Sequence, residues 1–167
     1  MAAATTFGNA ATSSLFWRQM KRALNYRNNV RLDPLGGGLF AFDTGAVTIS
    51  TDKVDDIGDE HYVLRFPDQT YLVALQVTST EMDTGVDALV MDFQTQTSGG
   101  TEAKLITGST IGQGGGSDEL DANLGSSLLD VSNLYLGHEV TTDAATPAAG
   151  TLRYKGLVWM GAPISIA

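Results

Sequence analysis

The chain contains no cysteine. That excludes a disulfide framework, a zinc site built on thiolates and a cysteine nucleophile. Proline is scarce, with 4 residues, whereas glycine occurs 19 times. Abundant glycine beside many threonines and valines fits short strands joined by tight turns, because glycine supplies a positive φ without steric cost. Charged residues make up only 17%, below the ~25% usual in soluble domains. Thr, Ser, Gly, Asn and Gln must therefore form much of the surface. No stretch approaches the ~20 apolar residues of a membrane helix. The opening MAAATTFGNAATSS lacks the basic start and apolar run of a secretory leader. The expectation is a soluble protein. Its 167 residues correspond to one domain and can bury enough surface to fold without a staple.

What charge there is lies unevenly. The formal net charge is -9. Residues 1–35 carry Arg18, Lys21, Arg22, Arg27 and Arg31 against Asp33 alone, a balance of +4, which leaves -13 on the remainder. Such asymmetry points to two surfaces with different tasks. An acidic body disfavours nucleic acid, whose binding depends on phosphate neutralisation by Lys and Arg.

Residues 1–12 are small and polar. Ser13 or Ser14 can cap a helix over Leu15–Tyr26. Within it Phe16, Met20 and Leu24 recur at helical spacing, with Trp17 and Ala23 beside them. Arg18, Lys21 and Arg22 lie mostly off this stripe. A lone helix of this length is marginal and needs a surface to pack on. That surface is either the body's own sheet or a neighbouring subunit. The arm residues Phe16, Trp17, Arg18, Met20, Lys21, Arg22, Leu24, Arg27 and Arg31 are therefore the candidate partner-binding set. Asp33-Pro34 followed by Gly36, Gly37 and Gly38 reads as a breaker and hinge. It divides a basic arm (1–38) from an acidic body (39–167).

The body reads as strand throughout. Expected strands are Leu39–Phe42, Ala46–Ser50, Tyr62–Phe66, Tyr71–Thr78, Ala88–Gln94, Ala103–Thr107, Ser127–Val131, Leu134–Val140, Leu152–Met160 and Ile164–Ile166. Tyr71, Val73, Leu75 and Val77 alternate on one face, as do Leu152, Tyr154, Val158 and Met160. Asp43-Thr44-Gly45 and Asp83-Thr84-Gly85 read as turns. Gly108–Gly125, rich in glycine and acid, reads as a long mobile loop. The fold class is all-β, a β-sandwich or jelly-roll-like body with an N-terminal arm containing a short helix.

Every catalytic or metal pattern is incomplete. His138-Glu139 begins HExxH, but Thr142 stands where the second histidine belongs. Ser50–Lys53 matches SxxK without the companion elements of β-lactamases. The three glycines before Leu39 lack the Gly-Lys-Ser/Thr of a phosphate loop. Asp52, Asp55, Asp56, Asp59 and Glu60 cluster without calcium-loop spacing. Gly114-Gly115-Gly116-Ser117-Asp118 is a single imperfect copy of a calcium repeat that works only when stacked. No cofactor and no enzyme activity are expected, though paired carboxylates for glycoside hydrolysis need geometry to judge.

One further pattern carries a resemblance. Tyr62–Pro67 (YVLRFP), the following apolar strand, the Asp83-Thr84-Gly85 turn and Ala88–Phe93 (ALVMDF) form a block. The glycine-rich acidic loop follows, then Ala148–Arg153 (AAGTLR) and Gly156–Val158 (GLV). Over roughly residues 60–160 this order resembles small virion structural proteins of tailed bacteriophages, including head decoration or cement proteins. The resemblance implies a β-sandwich or jelly roll made in the host cytoplasm and placed on the capsid exterior. It implies assembly as a homotrimer or other homo-oligomer that bridges capsomers, with the major capsid protein and neighbouring copies as partners. No membrane partner is implied. A tail or head-fibre component, a carbohydrate-binding module that attaches to a host, and a carboxylate hydrolase are the competing readings.

Overall fold

The computed structural model describes residues 31–36, 38–97, 102–120 and 128–161. Among them run eleven strands: β1 (Arg31–Gly36), β2 (Leu39–Asp43), β3 (Val47–Ile49), β4 (Glu60–Arg65), β5 (Thr70–Ser79), β6 (Val90–Gln96), β7 (Glu102–Ser109), β8 (Gly116–Glu119), β9 (Leu129–Asp130), β10 (Tyr135–Thr142) and β11 (Gly150–Met160). All pairings are antiparallel. The first sheet has the order β1-β2-β11-β5-β8, with β3 also on β11 and β9 also on β5. The second has the order β4-β10-β6-β7. The all-β expectation holds.

The sheets close on one core. Phe42 and Leu152, Tyr154 and Val158 of the first sheet meet Leu64, Met91, Phe93, Leu136 and Val140 of the second. Phe93 and Tyr154 touch edge to face with centroids 5.8 Å apart, as do Phe42 and Phe66. Each such fully buried side chain contributes ~1.5–3 kcal/mol relative to an exposed one. The alternation expected in Leu152–Met160 is borne out, since Leu152, Tyr154, Val158 and Met160 all face this core.

Four expectations are corrected. First, Asp33–Gly38 is not a free hinge. Arg31–Gly36 pairs with β2, from Arg31 opposite Asp43 to Gly36 opposite Leu39. Pro34 is compatible with this because β1 is an edge strand, where a missing donor costs little. Second, Gly108–Gly125 is not one long loop. It holds the end of β7, a helical turn at Ile111–Gly114 and β8. β8 escaped notice because its sequence, GSDE, has no buried face to advertise. Third, Tyr71, Val73, Leu75 and Val77 do not share a face. Leu157 pairs with Ala74 but the next residue, Val158, pairs with Leu72, so Val73 is an extra residue that forms a bulge. Leu72, Leu75 and Val77 consequently point inward while Tyr71 points out. Fourth, Ser127–Val131 contributes only the short β9 among its described residues. The expected helix over Leu15–Tyr26 and strand over Ile164–Ile166 lie outside the described residues.

Gly137 on β10 shows how tightly the second sheet is drawn. A Cβ there would lie 2.1 Å from the His61 carbonyl oxygen and 2.8 Å from the Tyr62 ring. Gly137→Ala must push β4 away from β10. It is expected to cost about 2 kcal/mol by overpacking, read as a lowered urea midpoint.

Candidate functional site

Three places gather polar chemistry: one end of the sandwich, its interior, and its outward faces.

At the end lies Asp83, fully buried. The Asp83-Thr84-Gly85 turn is present as expected, but its role is larger than a turn. One carboxylate oxygen accepts the Ala88, Leu89 and Ala145 N–H groups at 2.9, 3.1 and 3.1 Å. The other accepts Thr146 N–H at 2.9 Å and Gly85 N–H at 3.4 Å. Burial pushes this carboxyl's pKa up, but the backbone donors of Ala88, Thr146, Leu89 and Ala145 outweigh it and hold the pKa well below the usual carboxylate range. The group clasps residues 83–89 to residues 145–147, reinforced by a bridge between Asp83 and Pro147. Sequence reading identified the turn but not the clasp, because four of the five donors belong to residues five or more positions away.

In the interior His138 is fully buried, with Nδ1 3.2 Å from the Tyr154 hydroxyl. The His61 ring lies beside it across the β4–β10 pairing, with centroids 5.8 Å apart. Burial, helped by His61, lowers the His138 pKa to about 3, so the ring is neutral at physiological pH. Burial likewise raises that of the Tyr154 hydroxyl. The structure brings together the two histidines that are far apart in sequence, but inside the core and among Phe93 and Tyr154. The His138 ring lies wholly within the core, packed against His61 and Phe93.

The outward face of the second sheet carries Tyr62, Tyr135, Gln94, Asp92, Lys104 and Glu139. Tyr62 and Tyr135 meet edge to face, and Arg65 sits over the Tyr135 ring. Gln94 donates to the Tyr62 hydroxyl at 3.1 Å. Lys104 bridges Asp92 at 2.6 Å and Glu139 at 3.4 Å. Its hydrogen bond to Asp92 is the main cause of its raised pKa. Asp92 also accepts Gly108 N–H at 2.7 Å. Lys104→Met leaves the largely buried Asp92 without its cation. Because Lys104 is 41% exposed, solvent moderates the loss to about 1 kcal/mol, measurable as a change in denaturation midpoint.

The outward face of the first sheet is different. Register places Asp43, Lys155, Gln76 and Glu119 in one row across β2, β11, β5 and β8. The next outward row is Ala41, Leu157 and Ala74, and the next Leu39, Trp159 and Tyr71. Tyr71 and Trp159 touch with centroids 5.8 Å apart. A groove of about 540 Å³ opens over the first two rows. Arg153 forms a bidentate pair with Asp43, its Nε donating at 2.8 Å, and that hydrogen bond chiefly lowers the Asp43 pKa. Gln76 donates to Glu119 at 3.0 Å. The backbones of Asp43 and Glu119 stand three strand spacings apart, ~14 Å, and each carboxylate is engaged by a neighbour. That is not the close pair that glycoside hydrolysis uses.

Of the expected arm residues, Phe16, Trp17, Arg18, Met20, Lys21, Arg22, Leu24 and Arg27 lie outside the described residues. Arg31 opens β1 opposite Asp43, at the end of the polar row just named. Among the described residues no three His, Asp or Glu side chains are grouped to hold a metal ion.

No family model matches the chain, and no curated protein matches it. Solved structures do. A chain in the capsid asymmetric unit of cyanophage Pam1 superposes with a TM-score of 0.60 at 19% identity, over 81% of this chain and 94% of that one. A chain in the capsid of Ralstonia phage GP4 gives a TM-score of 0.62 at 19% identity, over 81% and 93%. The fold is shared with both. At this identity the likeness is one of fold, and in each case nearly the whole of the other chain takes part.

Proposed function

We propose that this protein is a non-enzymatic structural component of a phage virion, and within that class a decoration or cement protein that binds the outside of the shell and bridges capsomers. The observation that carries the reading is the near-complete overlap with chains from two phage capsids. Had the likeness been a common sandwich core alone, less of those chains would be covered. The partners in this reading are the major capsid protein and neighbouring copies of the chain, with the protein as a homotrimer or other homo-oligomer. The arm residues Phe16, Trp17, Arg18, Met20, Lys21, Arg22, Leu24, Arg27 and Arg31 supply an apolar stripe and positive charge for docking. Complementary charge steers such encounters, and many copies on one shell add avidity.

The test is a cryo-electron microscopy map of purified virions. Density for this fold on the head exterior is the expected result. Absence of the chain from particles would overturn the proposal, and density on the tail would move it to a tail or fibre component. The deletion that probes docking stops at residue 30, since Arg31 begins a strand of the sheet. Particles mixed with the chain lacking residues 1–30 are expected to lose binding, while its circular dichroism stays that of a β protein.

A further inference from the structure

We propose that residues 50–62 form an acid-operated flap, which below neutral pH swings off β10 about a hinge at Val63 while the rest of the sandwich stays folded. The trigger is the contact between His61, on the flap, and His138, on the strand beneath it.

The flap is weakly held between fixed ends. At one end β3 pairs with β11, and at the other Leu64 and Arg65 pair with β10. Among the described elements β4 pairs with β10 alone, as the edge of its sheet. Its departure therefore breaks one ladder. Val63 is an extra residue between the Leu64–Leu136 and Tyr62–Gly137 pairs, and a bulge is where a strand bends. Of residues 50–62 only Val54 is buried, and Ile57 stands 68% exposed. Outside the ladder, Gly58 N–H donates to the Val140 carbonyl, Val140 N–H to Asp59 and Ala144 N–H to Val54, at 2.8, 2.9 and 3.0 Å. Glu60 lies directly opposite Glu139, a like-charge pairing that opposes the closed state. Segments with so few buried apolar contacts open at far less cost than the whole fold.

Acid acts on the inner side of the flap. The groups facing the fully buried His138 are His61 from β4, the Tyr154 hydroxyl from β11 and the Phe93 ring from β6. None of them carries a negative charge at neutral pH. The nearby carboxylates Glu60, Glu139 and Asp92 pair across the outward side of the sheet, where Lys104 bridges the last two. Nε2 of His138 meets no acceptor among the described residues. A second proton on this ring is thus a buried charge without a counter-ion, beside another imidazole. Opening the flap lets water solvate it. Burial holds the closed-state pKa at about 3, whereas a solvated histidine titrates near 6.5. The open state binds the extra proton, so acid favours it. The ratio of open to closed rises about 25-fold from pH 7 to pH 5.

Hydrogen exchange of the full chain by NMR, read as protection factors at pH 7 and pH 5, tests the flap amide by amide. This interval titrates histidine ahead of ordinary carboxylates. Gly58, Val140 and Ala144 are expected to lose about 25-fold in protection at pH 5. They should barely respond to dilute urea, because a local opening exposes little surface. The controls are Phe66 N–H, bonded to Leu134 beyond the bulge, and Val131 N–H, bonded to Thr70, each at 2.9 Å. They should stay at least about tenfold better protected and respond to urea. One urea response shared by both sets would overturn the proposal, since every amide would then open only with the whole body. His138→Leu is expected to remove most of the pH-dependent loss at the three flap amides, with His138→Gln used if the leucine variant does not fold. A folded variant that keeps the full loss would also overturn it, by placing the trigger elsewhere. The isolated chain is used throughout, so the result is independent of whether the protein is found on virions.

Discussion

Asp83→Ala is expected to destabilise the protein by about 3–5 kcal/mol, since it strips five backbone N–H groups at the end of the sandwich of their acceptor at once. The donors come from two separate loops, and water can replace the carboxylate only by opening them. Asp83→Asn keeps the shape but offers one acceptor oxygen and no charge, so it should fall between wild type and alanine. Urea denaturation at pH 7 gives the ranking. An Asp83→Ala protein within 1 kcal/mol of wild type, roughly the worth of one ordinary hydrogen bond, would show that the clasp is not what holds the loops. The carboxyl's folded pKa is depressed. Its stabilisation is therefore complete above the unfolded value near 4 and is lost as pH falls below it. Wild type should lose stability steeply below about pH 4, and Asp83→Asn should lose this component of the slope.

A second and earlier acid loss is expected from His138. Its folded pKa is about 3, against an unfolded value near 6.5. Between those limits the unfolded chain binds a proton that the folded chain refuses. Stability therefore falls as pH drops below about 6.5, by up to ~1.4 kcal/mol per unit. Between pH 7 and pH 4.5 this amounts to roughly 3 kcal/mol. His138→Leu should flatten that window while leaving the loss below pH 4 in place. Chemical denaturation at half-unit steps separates the two. A wild-type curve flat from pH 7 to 5 would contradict a buried neutral histidine. The two windows together set how acid a medium the body tolerates.

Much of the body was legible because its strands advertise themselves. Leu152, Tyr154, Val158 and Met160 alternate with Arg153 and Lys155, and the structure keeps that alternation intact. β11 is central, paired on both edges, so its side chains are sorted between core and outside by burial alone. β5 carries an equally regular pattern, yet Val73 breaks it, because a bulge is a property of two strands in register and leaves no mark on one. β1 and β8 failed for the opposite reason. As edge strands they are held chiefly by backbone hydrogen bonds to β2 and β5, and backbone groups are the same in every sequence.

The division holds for chemistry too. Composition settled the lack of thiols, and order along the chain set a basic segment ahead of an acidic body. Those facts belong to the sequence because they need no neighbour to be true. The pairing of His61 with His138, the row from Asp43 to Glu119, and the five donors around Asp83 belong to the tertiary structure. Each joins residues far apart in the chain, and only the register of antiparallel strands brings them within a few ångströms.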